Sequence, residues 1–252
     1  MRPRASIIAA VAVAGLVVGP AVQSAVLSAD AALSTNLVLL YRFNTHTGTT
    51  VVDATTYRQN GTLVNVSNPD SAYVAGLSGY QTALNLVASQ RQYVNIPDSS
   101  VLHLNRFTLA ALVRYTGTQT ADTLDRWEVM EKDGSYWLNI RTNGHVRAGG
   151  FFGGCASRNW KYLDSAAVVP TNTWTHVAAT YNGSRLTIYV NGAASGSMSV
   201  SGTLCVNDQP LAVGAKNAPA KGILEAFWDG QLDDVRVYNK ALTATAIANL
   251  AP

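Results

Sequence analysis

An all-β fold, two antiparallel sheets packed face to face as a sandwich, is the class this sequence predicts. Three observations carry it. Short runs rich in Val, Ile, Leu, Thr and aromatic residues recur along the chain with turn dipeptides between them. Glutamate occurs only at Glu128, Glu131 and Glu225, whereas Gly, Ser, Thr, Asn and Tyr are plentiful, a composition that suits strands and turns better than long surface helices. No helical period persists over about ten residues until the C-terminus. Evenly punctuated strands of this kind build sandwiches and barrels.

The first element is not fold. Arg2 and Arg4 precede the apolar run Ile7–Val18, which Gly19-Pro20 ends. Ala29 and Ala31 are small residues at the positions a signal peptidase reads, with Val22-Gln23-Ser24 as a second candidate. The run is short for a membrane span. Residues 1–31 therefore read as a cleaved export signal rather than an uncleaved anchor, and residues 32–252 as one domain with no later span.

Strand signals then follow in order: Leu37–Phe43, Thr49–Asp53, Ala83–Val87, Gln92–Ile96 and Phe107–Tyr115. Glu128–Lys132, Tyr136–Arg141 and His145–Gly149 come next, joined by Asp133-Gly134 and Asn143-Gly144, dipeptides favoured in tight hairpins. Trp174–Tyr181 and Arg185–Val190 flank the turn Asn182-Gly183-Ser184, and Asn191-Gly192 makes a further turn. Alternation puts Val177, Ala179 and Tyr181 on one face and Trp174, His176, Ala178 and Thr180 on the other. His176 lies inside this strand with no Ser, Cys or carboxylate beside it in sequence, so it reads as structural. Trp174 is assigned to the core. Leu211–Gly214 and Gly230–Tyr238 are the last strands, and Leu242–Leu250 reads as a short helix capped by Thr243.

Charge and cysteine content bound the partners. The formal net charge of +3 becomes +2 when Arg2, Arg4 and Asp30 leave with the signal, too balanced to argue for nucleic acid or an anionic membrane surface. Cys155 and Cys205 form an even pair in an exported chain, which predicts a disulfide; two separately buried thiols are the alternative.

Four motifs in sequence resemble the LamG-like jellyroll domains of the concanavalin A-like lectin/glucanase superfamily. They are Leu40–Phe43 with Gly48–Asp53 and Asn60–Leu63; Ala83–Leu86 with Tyr93–Pro97; Trp174–Gly183 with Leu186–Gly192; and Gly230–Leu242. The resemblance runs from about Leu37 to Leu250 and implies a jellyroll with one curved sheet and a concave face. It also implies a structural Ca2+ between the opening segment and the closing Asp-Asp strand, with Asp53 and Asp233 as ligands and Asn44, Asn60 and Asp234 beside them. The chain departs from the family pattern in placing Asn44 where an acid is common and Tyr57-Arg58-Gln59 where a Ser-Gly-rich turn is common.

No Gly-x-Ser-x-Gly elbow, His-Glu-x-x-His motif or phosphate-cradling glycine loop is present, and the four histidines lack zinc-ligand spacing. Glycoside cleavage needs two carboxylates facing one cleft. In Glu128–Gly134, regular alternation puts Glu131 and Asp133 on one face and Glu128 on the opposite one, and Asp133-Gly134 reads as the turn itself. Sugar binding needs exposed aromatic faces with polar edges. Trp160, flanked by Arg158, Asn159, Tyr162 and Asp164, offers both, in the segment that Cys155 ties down; Trp127 and Trp228 are weaker candidates. The expectation is a secreted, non-catalytic binding module for carbohydrate, a cell-wall or environmental polysaccharide. The alternatives are a glycoside hydrolase or lyase acting in the same groove, and an adhesion module for a cell-surface protein.

Overall fold

The computed structural model describes residues 35–120, 124–157 and 159–252. The export signal read at residues 1–31 and the candidate ligand residue Arg158 lie outside them. The body Asn36–Pro252 is built of strands β1 (Leu37–Tyr41), β2 (His46–Thr47), β3 (Thr50–Val51), β4 (Gly61–Val64), β5 (Tyr73–Ala75), β6 (Thr82–Leu86), β7 (Tyr93–Ile96), β8 (Phe107–Tyr115), β9 (Arg126–Lys132) and β10 (Tyr136–Arg141). Strands β11 (His145–Phe152), β12 (Asn159–Val168), β13 (Thr175–Tyr181), β14 (Arg185–Val190), β15 (Ala193–Ser199), β16 (Leu211–Val213), β17 (Lys216–Ala218), β18 (Ile223–Glu225) and β19 (Gly230–Tyr238) follow, then helix α1 (Ala244–Ala248).

Two antiparallel sheets form the sandwich, as the composition and punctuation predict. One runs β15-β14-β13-β8-β19-β6-β5, with β1 also paired to β19. The other runs β12-β11-β10-β9-β16-β7-β4-β3-β2. A ribbon of β17 and β18 stands apart from both ladders and packs beside β9. Strands β8, β10, β14 and β19 have the bounds their sequence pattern predicts; the predicted helix shortens to Ala244–Ala248. Thr243 caps it by accepting a hydrogen bond from the Ala246 N–H, which satisfies one of the orphan donors of a helix start.

The core lies between the sheets, and the period of two decides what enters it. From β13, Val177, Ala179 and Tyr181 are fully buried in it; from β14, Leu186, Ile188 and Val190 join them. His176 lies on the outer face of β13 yet is only 2% exposed, its ring Nδ1 has no hydrogen-bond partner among the described residues, and burial, aided by Arg236, pushes it down to about 4. A neutral buried imidazole in mid-strand is scaffold. Trp174 departs from its core assignment: it precedes β13 and is only half-buried, because the strand begins one residue later at Thr175. Trp127 and Trp228 are core residues, both tilted against the Tyr115 ring at centroid distances of 5.2 and 6.2 Å. They are therefore no part of a ligand face. The two cysteines form the predicted disulfide, Cys155–Cys205, closing a sequence separation of 50. A loop of that length stabilises the fold by about 4 kcal/mol in the chain-entropy description.

Candidate functional site: a groove on the outer face of the nine-stranded sheet

Strands β9 to β12 turn one row of side chains into the core and the other outward. Inward go Trp127, Val129, Met130, Tyr136, Leu138, Ile140, Val146, Ala148 and Phe152. Outward they leave a groove of about 390 Å³ whose floor and walls include Glu128, Glu131, Asp133, Trp137, Asn139 and Trp160. Lys216 on β17 and Lys221 close one side.

The floor corrects an expectation. Glu128 does not lie opposite Glu131 and Asp133; all three line the groove. The register of β9 against β10 shifts there, with Leu138 paired to Met130 but Asn139 to Glu128, so β9 carries an extra residue, Val129. Both Val129 and Met130 are fully buried in the core. Two adjacent apolar side chains can face the same layer only if the strand bulges, and a bulge resets the alternation. Glu128 and Glu131 thereby become neighbours on one face. The sequence signal was present: Trp127, Val129 and Met130 break period two.

Their environments differ. Glu128 is fully buried; its Oε1 accepts from Arg126 Nε at 2.5 Å and from Asn139 Nδ2 at 3.2 Å. Its Oε2 has no hydrogen-bond partner among the described residues. Burial raises Glu128, while Arg126, Glu131 and Asn139 pull it back. Glu131 is pushed well above the ordinary glutamate range, first by burial and then by the Glu128 charge. Of the two neighbouring acids, Glu131 is the one held further towards its protonated form.

Ion pairs surround the pair. Asp133 meets Lys221 and lies 3.9 Å from Lys216, which is 3.6 Å from Glu225. Arg141 binds Asp125 at 2.7 Å. The far wall is aromatic. Trp137 meets Phe151 edge-on at 6.0 Å. A Cβ on Gly149 would stand 2.4 Å from the Trp137 ring, so glycine there is what admits the indole. At the lip, Trp160 and Tyr162 stack at 5.3 Å with planes 18° apart and are 54% and 40% exposed. Arg147 lies over the Tyr162 ring at 3.8 Å while donating to both oxygens of Asp164, at 2.6 and 2.7 Å, which fixes the ring's underside.

Of the ligand residues read from sequence, Trp160, Tyr162 and Asp164 come together on β12, and Asn159 is exposed at its start, outside the groove. Trp137, Asn139, Arg147 and Phe151 were missed. They alternate with core residues on strands whose period was legible, but which face would stay uncovered was not. Strand β12 was itself missed: nearly every residue of it is exposed, so it lacks the half-buried alternation of an inner strand.

The calcium residues read from the resemblance fall into two groups. Asp53 Oδ1 accepts from the Leu40 and Thr55 N–H groups and Oδ2 from the Thr55 hydroxyl and Gln59 N–H; Asn60 Oδ1 accepts from Asp53 N–H. Asn44, Asp233 and Asp234 line a separate cavity of about 260 Å³. There Asn44 Oδ1 accepts from Thr82 N–H, and Asp234 holds Arg236 at 2.6 Å. Asp233 Oδ2 alone has no donor among the described residues, and burial pushes its carboxyl up to about 7. Calcium asks for six to eight free oxygens. Asp53, Asn44 and Asn60 spend oxygens on N–H groups and Asp234 on Arg236, Asp233 Oδ2 alone is left over, and Asp53 and Asn60 do not line the Asp233 cavity, so the five do not form the single calcium set the resemblance implies. Among the described residues, Asp98, His103 and Asp208 bring one ligand atom each within 4.8 Å of one another, but Lys132 Nζ lies 2.5 Å from Asp98 and already supplies a cation.

The fold has solved relatives. The chain superposes on the binding domain of paraclostridial mosquitocidal protein 1 with a TM-score of 0.65 at 16% identity, covering 86% of this chain and 52% of that one. It superposes on domain 4 of AbnA, a GH43 extracellular arabinanase from Geobacillus stearothermophilus solved in complex with arabinotriose, with a TM-score of 0.63 at 20% identity, covering 86% and 98%. For the receptor-binding domain of botulinum neurotoxin mosaic serotype C/D the values are 0.63 and 14%, covering 86% and 50%. The chain thus spans about half the length of the toxin domains it matches. These likenesses establish the fold. No curated protein matches the sequence. The model of one family matches residues 88–248, a stretch that holds the whole groove and most of the chain, and on that match the protein belongs to the concanavalin A-like lectin/glucanases superfamily.

Proposed function

We propose that this protein is an exported module that binds a polysaccharide chain along the groove of β9–β12. The observation that carries the reading is the exposed, stacked pair Trp160 and Tyr162 at the groove lip. A sugar's apolar C–H face packs on such a ring, and its hydroxyls need hydrogen bonds at the ring's edge. Arg147, Asp164 and Asn139 supply polar groups beside the aromatic wall. Support comes from the arabinanase domain of the same fold, solved with arabinotriose. The Cys155–Cys205 disulfide is compatible with a chain that folds outside the reducing cytoplasm and supports the export reading. No helix among the described residues is long and apolar enough to cross a membrane. Cleavage of residues 1–31 and release of residues 32–252 as the working form are part of the proposal.

The test is a glycan array followed by titration calorimetry with the processed protein. Trp160→Ala is expected to weaken the best ligand by about tenfold or more while leaving the melting curve unchanged. No binding to any glycan, or full binding by the variant, would overturn the reading. Retention of binding in a chelator is expected, since the candidate calcium ligands are committed elsewhere.

A further inference from the structure

We propose that the groove floor is an ammonium site, and that the glycan it holds carries free amino groups, as an N-deacetylated amino-sugar polymer does. This rests on the groove being a glycan site.

Three observations converge. The first is a patch set by the strand ladder. Across β9 and β10, Glu128 is paired with Asn139 and Glu131 with Trp137. Trp137 and Asn139 alternate with Leu138 on β10 and share its outer face, so the two cross-strand pairs are neighbours. All four side chains line the groove.

The second is an excess of acceptors. Asn139 is 1% exposed and spends its amide nitrogen on Glu128, yet its Oδ1 has no hydrogen-bond partner among the described residues. Glu128 is fully buried, and its Oε2 has none either. A buried acceptor left unpaired is costly, so this floor suits a donor that the ligand brings.

The third is the charge pattern. Arg126 is shared by Asp125, Glu128 and Glu225; Arg141 also holds Asp125, Arg147 holds Asp164, and Lys216 and Lys221 meet Asp133. Glu131 is the acid left over: among the described residues no Lys, Arg or His nitrogen lies within ion-pair distance of it. Burial and the Glu128 charge hold it towards its protonated form for want of such a cation.

A ligand ammonium answers all three. Its N–H donors match Asn139 Oδ1, Glu128 Oε2 and the Glu131 carboxylate, whose proton passes to solvent as the cation arrives. The Trp137 indole, cross-strand neighbour of Glu131, adds an aromatic surface that favours a cation. A sugar hydroxyl brings a single donor and no charge, and an N-acetyl group brings a single N–H with added bulk. A uronate or sulfate finds each of these wall cations already held by a carboxylate. The ligand class is therefore a cationic glycan, its rings stacked on Trp160 and Tyr162 at the lip.

The experiment titrates the processed protein with oligomers of glucosamine, N-acetylglucosamine and glucose, equal in length and linkage, beside a glycan array that includes N-deacetylated polymers. The glucosamine oligomer is expected to bind about tenfold or more tighter than the other two. Acetylating its amines should remove that advantage with the protein unaltered. Glu131→Gln should bring the three affinities together while leaving the two neutral oligomers unchanged; a preference that survives this substitution overturns the assignment. Trp160→Ala should weaken all three by the same factor, and a loss confined to the glucosamine oligomer would move the amine to the lip and overturn it as well. An array whose best ligand lacks a free amine overturns the ammonium site and leaves the groove a glycan site. An array with no ligand at all defeats both.

Discussion

Asp53, just after β3, and the pair Glu128–Glu131 on β9 are buried acids of the same sandwich, and they are treated oppositely. Asp53 accepts four hydrogen bonds, three from backbone N–H groups and one from a hydroxyl, and ties the segment after β3 to β1. Every one of its bonds is local scaffold. Glu131 instead lines the groove beside the Glu128 carboxylate, and burial together with that charge pushes it well above the ordinary glutamate range. A buried acid satisfied by fixed donors stabilises; one pressed against a second acid costs stability, and a sequence retains it for another reason. The contrast separates scaffold from site without any ligand in view.

The largest expected effect that sharpens this contrast comes from Arg126. Arg126→Met strips the cation from fully buried Glu128 and should cost about 4 kcal/mol at neutral pH, read from urea unfolding. Asp53→Ala should cost about 3 kcal/mol by leaving the buried Leu40 N–H and its companions without an acceptor, yet glycan binding by the folded fraction should be intact. Glu131→Gln is expected in the opposite direction, a gain of about 1 kcal/mol at alkaline pH. Glu131 keeps its proton when folded at pH values where the unfolded chain has lost it. Its contribution is therefore whole in acid and fades as pH rises through the glutamate range towards its raised folded value. Unfolding curves from pH 4 to 9 should lose that downward slope in the variant; an unchanged slope would mean the proton lies elsewhere. Trp160→Ala should change stability by less than about 0.5 kcal/mol, because the ring is more than half exposed, while abolishing most binding. A large loss of stability there would make Trp160 scaffold after all.

The legible part of this protein is what period two and turn chemistry dictate locally. Phe107–Tyr115, Tyr136–Arg141, Arg185–Val190 and Gly230–Tyr238 are strands from their own alternation, and Asp133-Gly134 and Asn143-Gly144 turn where they should. His176 was legible as scaffold for the same reason. Cys155 and Cys205 were legible as partners because no third cysteine competes. Trp160 and Tyr162 stood out as aromatic residues among polar ones, although the strand carrying them did not.

Tertiary structure decided which outward row stays uncovered and where the alternation slips. Glu128 changed face because the core claimed both Val129 and Met130, and that demand comes from the opposite sheet rather than from β9. Lys216 and Glu225 reached the groove through a ribbon remote from β9 in sequence, and Gly149 opened space for an indole on a neighbouring strand. Local sequence sets the direction of each side chain relative to its neighbours. Only packing between layers determines where one residue too many must bulge, and that single slip assembled the acids into one site.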